Sequence, residues 1–411
     1  MAVGKSRRPL FGFMTRNYLV LTLTSAMLSF GNSITYTYFS LYVFELGGTE
    51  TTIGLISAIE CGVYALSIIV GGQIADIYGR KKVLGVMTIA VGISQTLMAI
   101  APNWQFLAFA STIIHLCYLM DPALWAMLAD SIDEKKRGTA FSIFSCINFL
   151  PWTIMPFIGG YLIDMMGVLL TMRWAYFLLV ILGVASGVIR FLMLEETIES
   201  RVCSAKPNLD VKELWNVLKS SFTEHVKIWM SMPSRALALA ITYPLWAIEN
   251  GLVEPYWIVY AEEEIGLSSS QWGTIIALGN VADLTLKAYI VGKILDRFKR
   301  KKVLLIILAL SAIVYPAFIS CKAFIQVLTL WIFASIVWAF FDATYSSIEA
   351  DMVPKELRGR TFAAFGVSWA AFRVPASLIG GFIYEQVNPQ LSFMLASVVV
   401  IICLIITAKF I

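Results

Sequence analysis

An all-α membrane protein of twelve transmembrane helices, arranged as two pseudo-symmetric six-helix bundles, is predicted by three features of this 411-residue chain. The first is composition. Hydrophobic residues make up 59% and charged residues only 14%, where soluble domains carry about a quarter charged residues, and mean hydropathy is +0.78. The second is the recurrence of apolar runs of about 20 residues, each long enough to cross a hydrocarbon core of about 30 Å at about 1.5 Å per helical residue. The third is repetition: "GGQIADIYGRKKVL" at 71–84 returns as "VGKILDRFKRKKVL" at 291–304.

The predicted spans are 17–44, 51–76, 82–101, 104–129, 137–164 and 172–194, then 234–261, 269–296, 302–321, 324–350, 358–385 and 390–409. The basic start "MAVGKSRRPL" precedes an apolar run too long for a signal-peptide core and without a clear cleavage site, so span 1 is expected to be retained. Residues 195–233 form the only long polar segment. There Val211, Leu214, Trp215, Leu218 and Phe222 follow helical spacing, with Lys212, Glu213 and Lys219 elsewhere on the circumference. That pattern predicts an amphipathic linker helix along the membrane surface. The chain thus divides into an N-terminal bundle (1–194), a cytoplasmic linker (195–233) and a C-terminal bundle (234–411).

Charge placement sets the expected orientation, because short loops rich in Lys and Arg stay cytoplasmic. Of 31 such residues, Arg173 and Lys322 fall in outer loops and Lys287 and Arg373 inside spans; the other 27 fall on one side with both termini. Such a partition requires an even number of spans. A net charge of +4 is too small to point to nucleic acid. The six cysteines show no paired spacing, and most lie in apolar spans where a thiol acts as a small hydrophobe.

The repeat extends past the opening motif. "ADSIDEKKRGTAF" (129–141) matches "ADMVPKELRGRTF" (350–362), which pairs Asp130 with Asp351, Arg137 with Arg358 and Gly138 with Gly359. "IGGYLID" (158–164) matches "IGGFIYE" (379–385), and Asn32, Tyr38 and Tyr42 align with Asn250, Tyr256 and Tyr260. On these residues the chain resembles the major facilitator superfamily over essentially its full length. The family's loop pattern after the second helix is approximately G-x-x-x-D-R-x-G-R-[RK]. Gly72, Asp76, Gly79, Arg80 and Lys81 fit it, while Ile77 replaces the usual first arginine; the second copy keeps Asp296, Arg297 and Arg300 but has Lys299 in place of the glycine. The resemblance implies that these loops, with Asp130, Arg137, Gly138, Asp351, Arg358 and Gly359, gate the cytoplasmic side through ion contacts that bridge the halves.

Charges inside spans are costly, about 2.5–3.5 kcal/mol for a central aspartate on insertion scales, and normally face water or a partner. Asp121 and Asp342 occupy equivalent positions in the two repeats, on stripes with Tyr118 and Trp125 and with Trp338, Tyr345 and Glu349. In the resembling family these spans line the central cavity. Two carboxylates among aromatic rings suit a cation, a sugar-like face or proton carriage. Pro244, Gly251 and Pro255 weaken span 7 beside Glu249, Asn250 and Glu254; Glu249 is the expected cavity acid and Glu254 a residue near the outer surface. Asn32 and Tyr36 belong to a polar side of span 1. Arg373 is expected either to answer Asp342 or to bind an anionic substrate, Asp283 and Lys287 to neutralise one another, and His115 to be structural. Glu60 has no partner in its own span.

The expected function is secondary active transport of a small solute by alternating access, coupled to protons through Asp121, Asp342 or Glu249. The partners are a small-molecule substrate, protons and the bilayer of the cell membrane, with no nucleic acid, and the chain acts as a monomer. The alternative is a proton-driven efflux antiporter for amphipathic or cationic compounds. "MPFIGG" keeps P-x-x-G-G of an antiporter pattern, but Met155 stands where glycine is usual and span 4 lacks the arginine pattern of drug exporters. A receptor or scaffold on the same fold is a third reading. No phosphate loop, metal-ligand cluster or nucleophile motif is found, so neither enzyme, metal nor cofactor is expected.

Overall fold

The computed structural model of the chain describes residues 14–197, 234–352 and 358–410, and within them the secondary structure is helical throughout. The first half contains α1 (Arg16–Thr37), α2 (Phe39–Glu45), α3 (Glu50–Tyr78), α4 (Arg80–Ala99), α5 (Trp104–Cys117), α6 (Asp121–Asp130), α7 (Arg137–Met166) and α8 (Val168–Met193). The second contains α9 (Ser234–Val253), α10 (Trp257–Glu263), α11 (Ser269–Leu286), α12 (Gly292–Arg297), α13 (Arg300–Ile319), α14 (Phe324–Met352), α15 (Arg358–Gln386) and α16 (Pro389–Phe410). Among the described residues, nine helical stretches are long and apolar enough to cross a membrane. The predicted segments 17–44, 234–261 and 358–385, outside that set, are helical as well. Most of the predicted linker helix, including Val211 to Phe222, lies outside the described residues.

Local chemistry explains the helix ends. Thr49 and Thr52 form a capping box on α3, and Ser268 and Gln271 form one on α11, so backbone donors left over at a helix start find acceptors. Between α3 and α4 the chain turns at Gly79, whose φ of +88° is open to glycine without a Cβ penalty. Two spans are interrupted by 3₁₀ turns, one expected in span 7 and one, in span 4, not expected from the sequence. The predicted span 4 bends through a 3₁₀ turn at Tyr118–Met120, just before Asp121 and Pro122. In span 7, α9 runs intact through Pro244 and Gly251, and the helix is interrupted only at the 3₁₀ turn Glu254–Tyr256.

Packing is close where side chains are small. Helices α4 and α8 meet backbone to backbone, a Cβ on Gly92 standing 2.7 Å from the Gly183 carbonyl carbon. Helices of 16–193 pack chiefly on one another and so do those of 269–410, with two crossings between these sets, α3 on α15 and α7 on α11. Both crossings are tight at the end away from the basic loops: a Cβ on Gly54 would lie 2.3 Å from the Ser377 carbonyl oxygen, and one on Gly160 2.2 Å from that of Ser269. Towards the basic end, position 138 on α7, 292 at the start of α12 and 366 on α15 meet no described atom within 4 Å.

Candidate functional site

Below the tight crossings lies a cavity of about 680 Å³. Six tryptophans (152, 246, 257, 272, 331 and 338) and Tyr36, Tyr118 and Tyr176 contribute to its wall, with Glu60, Glu249, Glu254, Arg373, His115, Asn32, Asn250 and Asn280 as polar groups. Trp331 holds the aromatic side together, its ring 5.2 Å from Trp257, 4.9 Å from Trp272 and 5.5 Å from Trp338, all near-perpendicular. Such edge-to-face contacts fix ring orientation and leave other faces for a guest.

Each carboxylate has its own setting. Glu254, at the interruption after α9, pairs with Arg373 at 2.9 Å and also accepts a hydrogen bond from the Tyr36 hydroxyl. Glu249, only 5% exposed, accepts from the Tyr315 hydroxyl at 2.5 Å. It also borders a second hollow of about 30 Å³ between α9, α13, α14 and α16, which Tyr315, Trp338 and Tyr345 help to line. That space is enough to hold a water. Glu60 accepts from the Ser111 hydroxyl, and the His115 Nδ1–H donates to the Ser111 carbonyl oxygen at 2.9 Å.

Of the residues predicted for the cavity, Asn32, Tyr36, Tyr118, Glu249, Asn250, Trp338 and Arg373 border it, whereas Asp121, Trp125, Asp342 and Tyr345 do not. Asp121 starts the bent-off α6 and accepts from the Tyr64 hydroxyl at 3.0 Å. Trp125, half exposed, stacks on Phe141. Asp342 pairs with Lys287 at 3.1 Å, and Lys287 also holds Asp283 at 2.9 Å; the lysine begins a π-helical turn, Lys287–Val291, that swings it between the two acids. Tyr345 is buried against Trp246 and Phe341 and lines only the smaller hollow. Arg373 thus answers Glu254 rather than Asp342, and Glu254 lies in the cavity rather than at the surface. Arg190, assigned to the basic side by its sequence, is 1% exposed and bound by hydroxyls of Thr24, Ser25 and Thr88.

At the basic end, Arg80 pairs with Asp130 and, at 3.8 Å, with Asp76, while Arg137 donates to the Ala129 carbonyl oxygen. Glu196 caps the start of α4 through the Arg80 and Lys81 amides. Gly72 clears Pro122, Gly138 has open space, and Arg297 is exposed. Arg300 donates to the Ser347 carbonyl oxygen. Asp296, Asp351, Arg358 and Gly359 lie outside the residues whose side chains are described. The ion contacts of Arg80 with Asp76 and Asp130, and of Arg137 with Glu134, stay within the first half of the chain.

The opposite end is closed by contacts that occur in duplicate. The Asp164 carboxylate accepts from the Ser270 amide at the start of α11, and the Glu385 carboxylate accepts from the Thr51 amide at the start of α3. The Tyr38 hydroxyl donates to the Pro156 and Ser269 carbonyl oxygens, and that of Tyr256 to the Glu50 carbonyl oxygen. Tyr42 and Tyr260 likewise reach the ends of α4 and α13, through Met98 and Ile319.

Apolar crossing helices, closed at one end over a polar and aromatic cavity, define an integral membrane transporter. This chain belongs to the Major Facilitator Superfamily, whose sequence profile matches residues 21–251 and 236–411, and it is a secondary transporter. It is 26% identical over 307 residues to the multidrug resistance protein MdtG of Escherichia coli O9:H4 (strain HS), covering 72% of this chain and 70% of that protein. It is 24% identical over 339 residues to a Na(+), Li(+), K(+)/H(+) antiporter of Planococcus maritimus, covering 75% of this chain and 76% of that one. The structure of the human organic anion transporter MFSD10 superposes with a TM-score of 0.69 at 15% identity, covering 95% of this chain and 99% of that one, a likeness of fold.

Proposed function

We propose that the protein exchanges protons for an amphipathic organic cation across the cell membrane. Twelve spans form two six-helix halves, 1–194 and 234–411, joined by the linker 195–233, and the chain works as a monomer with both termini cytoplasmic. The observation that carries the reading is the cavity wall: three glutamates against one arginine that is already paired, set among six tryptophans. Aromatic faces and carboxylates attract cations together, each contact being worth about 0.5–2 kcal/mol. The multidrug resistance and antiporter relatives support exchange, although the antiporter pattern in α7 is incomplete. The duplicated tyrosine and carboxylate contacts support a two-fold repeat.

With the basic loops in the cytoplasm, the conformation described above opens inward. The outward-open state would require α3 to part from α15 and α7 from α11, and would let the loops around Asp76, Arg80, Asp296 and Arg300 close. Glu249 is the coupling acid of this proposal, since it alone among the three predicted coupling residues borders the cavity. In proteoliposomes under an imposed pH gradient, the wild type should accumulate quinacrine beyond the level that protein-free liposomes reach, since a weak base follows a pH gradient unaided. Glu249→Gln should retain exchange of quinacrine down its own gradient and lose pH-driven accumulation. Undiminished accumulation in that variant would reject Glu249 as the coupling acid, and no quinacrine movement in the wild type beyond that of protein-free liposomes would reject cation exchange.

A further inference from the structure

We infer that Glu60 is the residue that receives the charged nitrogen of the transported solute, and that this nitrogen is a protonated amine or amidinium bearing N–H donors. The inference rests on the cation-exchange reading above and divides its chemistry among the cavity acids. Glu254 has its charge answered by Arg373 at 2.9 Å and a further acceptor site filled by Tyr36. Glu249 is sealed at the wall, 5% exposed, with the Tyr315 hydroxyl on one oxygen. Glu60 differs from both: it borders the cavity, is half-buried, and has no lysine or arginine within ion-pair distance among the described residues. Its partner is the neutral hydroxyl of Ser111, itself only 1% exposed, which occupies Oε1.

The neighbouring imidazole sharpens the choice of ligand. His115 spends its Nδ1–H on the Ser111 carbonyl oxygen at 2.9 Å, which in the neutral ring leaves Nε2 as an acceptor. His115 and Tyr118 also meet edge to face at 5.5 Å, so the ring is held in place. This part of the cavity wall therefore offers a carboxylate oxygen and an imidazole nitrogen, both acceptors. A quaternary cation would satisfy the charge and leave both acceptors to water, whereas an N–H-bearing cation satisfies charge and acceptors together.

The test measures equilibrium binding of quinacrine, a protonated amine on a flat ring system, and of tetraphenylphosphonium, which has no N–H, to the purified full-length protein. Glu60→Gln keeps the shape and the Ser111 contact while removing the charge. It should weaken quinacrine binding at least tenfold with the ligand-free melting temperature unchanged; Glu60→Asp should restore most of it. His115→Phe should weaken quinacrine binding more than tetraphenylphosphonium binding. Equal quinacrine affinity in Glu60→Gln and wild type would overturn the assignment to Glu60 while leaving cation exchange standing. Equal losses for both ligands in His115→Phe would overturn the requirement for N–H donors. Absence of binding of either cation to the wild type would remove the cation reading itself, and this assignment with it.

Discussion

The Asp164 carboxylate accepts a hydrogen bond from the Ser270 amide, and so joins the last turn of α7 to the first turn of α11 across the two halves of the chain. The Glu385 carboxylate does the same for Thr51 at the start of α3. A carboxylate at a helix N-terminus gains both from charge-assisted hydrogen bonding and from the helix dipole, about 1.5–3 and about 0.3–1 kcal/mol respectively. The Asp164 contact is exposed and the Glu385 contact only part-buried, so solvent screens both well below those values; removing both acids should move the balance between closed and open forms of this end by about 1.4–2.8 kcal/mol, or about 10- to 100-fold. Spin labels at positions 45 and 388, in a background with the native cysteines replaced, should report a longer distance in the Asp164→Asn, Glu385→Gln double variant. An unchanged distance distribution would mean that the acids do not hold this end closed.

Close approach supplies the other half of the closure. A methyl group at Gly160 would stand 2.2 Å from the Ser269 carbonyl oxygen, and one at Gly273 2.3 Å from that of Pro156. Backbone cannot yield as a flexible side chain can, so Gly160→Ala and Gly273→Ala should hinder closure and lower transport at least tenfold while the protein still folds. Gly138→Ala, at a position with open space, should transport at close to the wild-type rate. Equal transport in all three variants would remove the steric argument.

Span positions and the duplicated carboxylates and tyrosines were readable because both follow from spacing within one chain segment. Partners across helices were not. Asp121 and Asp342 looked equivalent at the same offset, yet each is occupied by a residue from another helix, Tyr64 and Lys287, that no local pattern indicates. Glu60 stood out as a charge in an apolar run, but its link to Ser111 depends on how α3 packs on α5. Glu254 carried a usable signal, since it precedes Pro255 at the point where the helix is interrupted; a residue at such a break is freed to turn into the cavity.

Glu262, one residue beyond the predicted span 234–261, gives the closed end a pH dependence. Burial pushes its carboxyl up to about 7, opposed by the hydrogen bond from Ser269 and reinforced by the nearby Asp164 and Glu263. If opening returns the group towards the ordinary carboxylate range near 4.5, the closed form binds the extra proton. Its contribution to closure is then full below about 4.5 and is lost as pH rises through about 7. The distance between labels at 45 and 388 should lengthen from pH 5 to pH 8, and Glu262→Gln should flatten that response. The same slope in the variant would assign the dependence to another group.

Arg190 offers the sharpest stability contrast. Its guanidinium donates to the hydroxyls of Thr24, Thr88 and Ser25 at 2.8–2.9 Å, while Thr24 and Thr88 donate in turn to the Val20 and Leu84 carbonyl oxygens at 2.6 Å. The hydroxyl protons are therefore satisfied within their own helices, and only the arginine depends on the cluster. Deleting acceptors leaves a buried charge short of hydrogen bonds, each worth about 1.5–3 kcal/mol, whereas replacing the charge by an apolar chain of similar length is often near neutral. The Thr24→Val, Thr88→Val double variant should accordingly melt well below the wild type, and Arg190→Met only slightly below it. Restoring the melting temperature by adding Arg190→Met to the double variant would show that the stranded charge, and not lost packing, was the cause; failure to recover would assign the loss to packing between α1, α4 and α8.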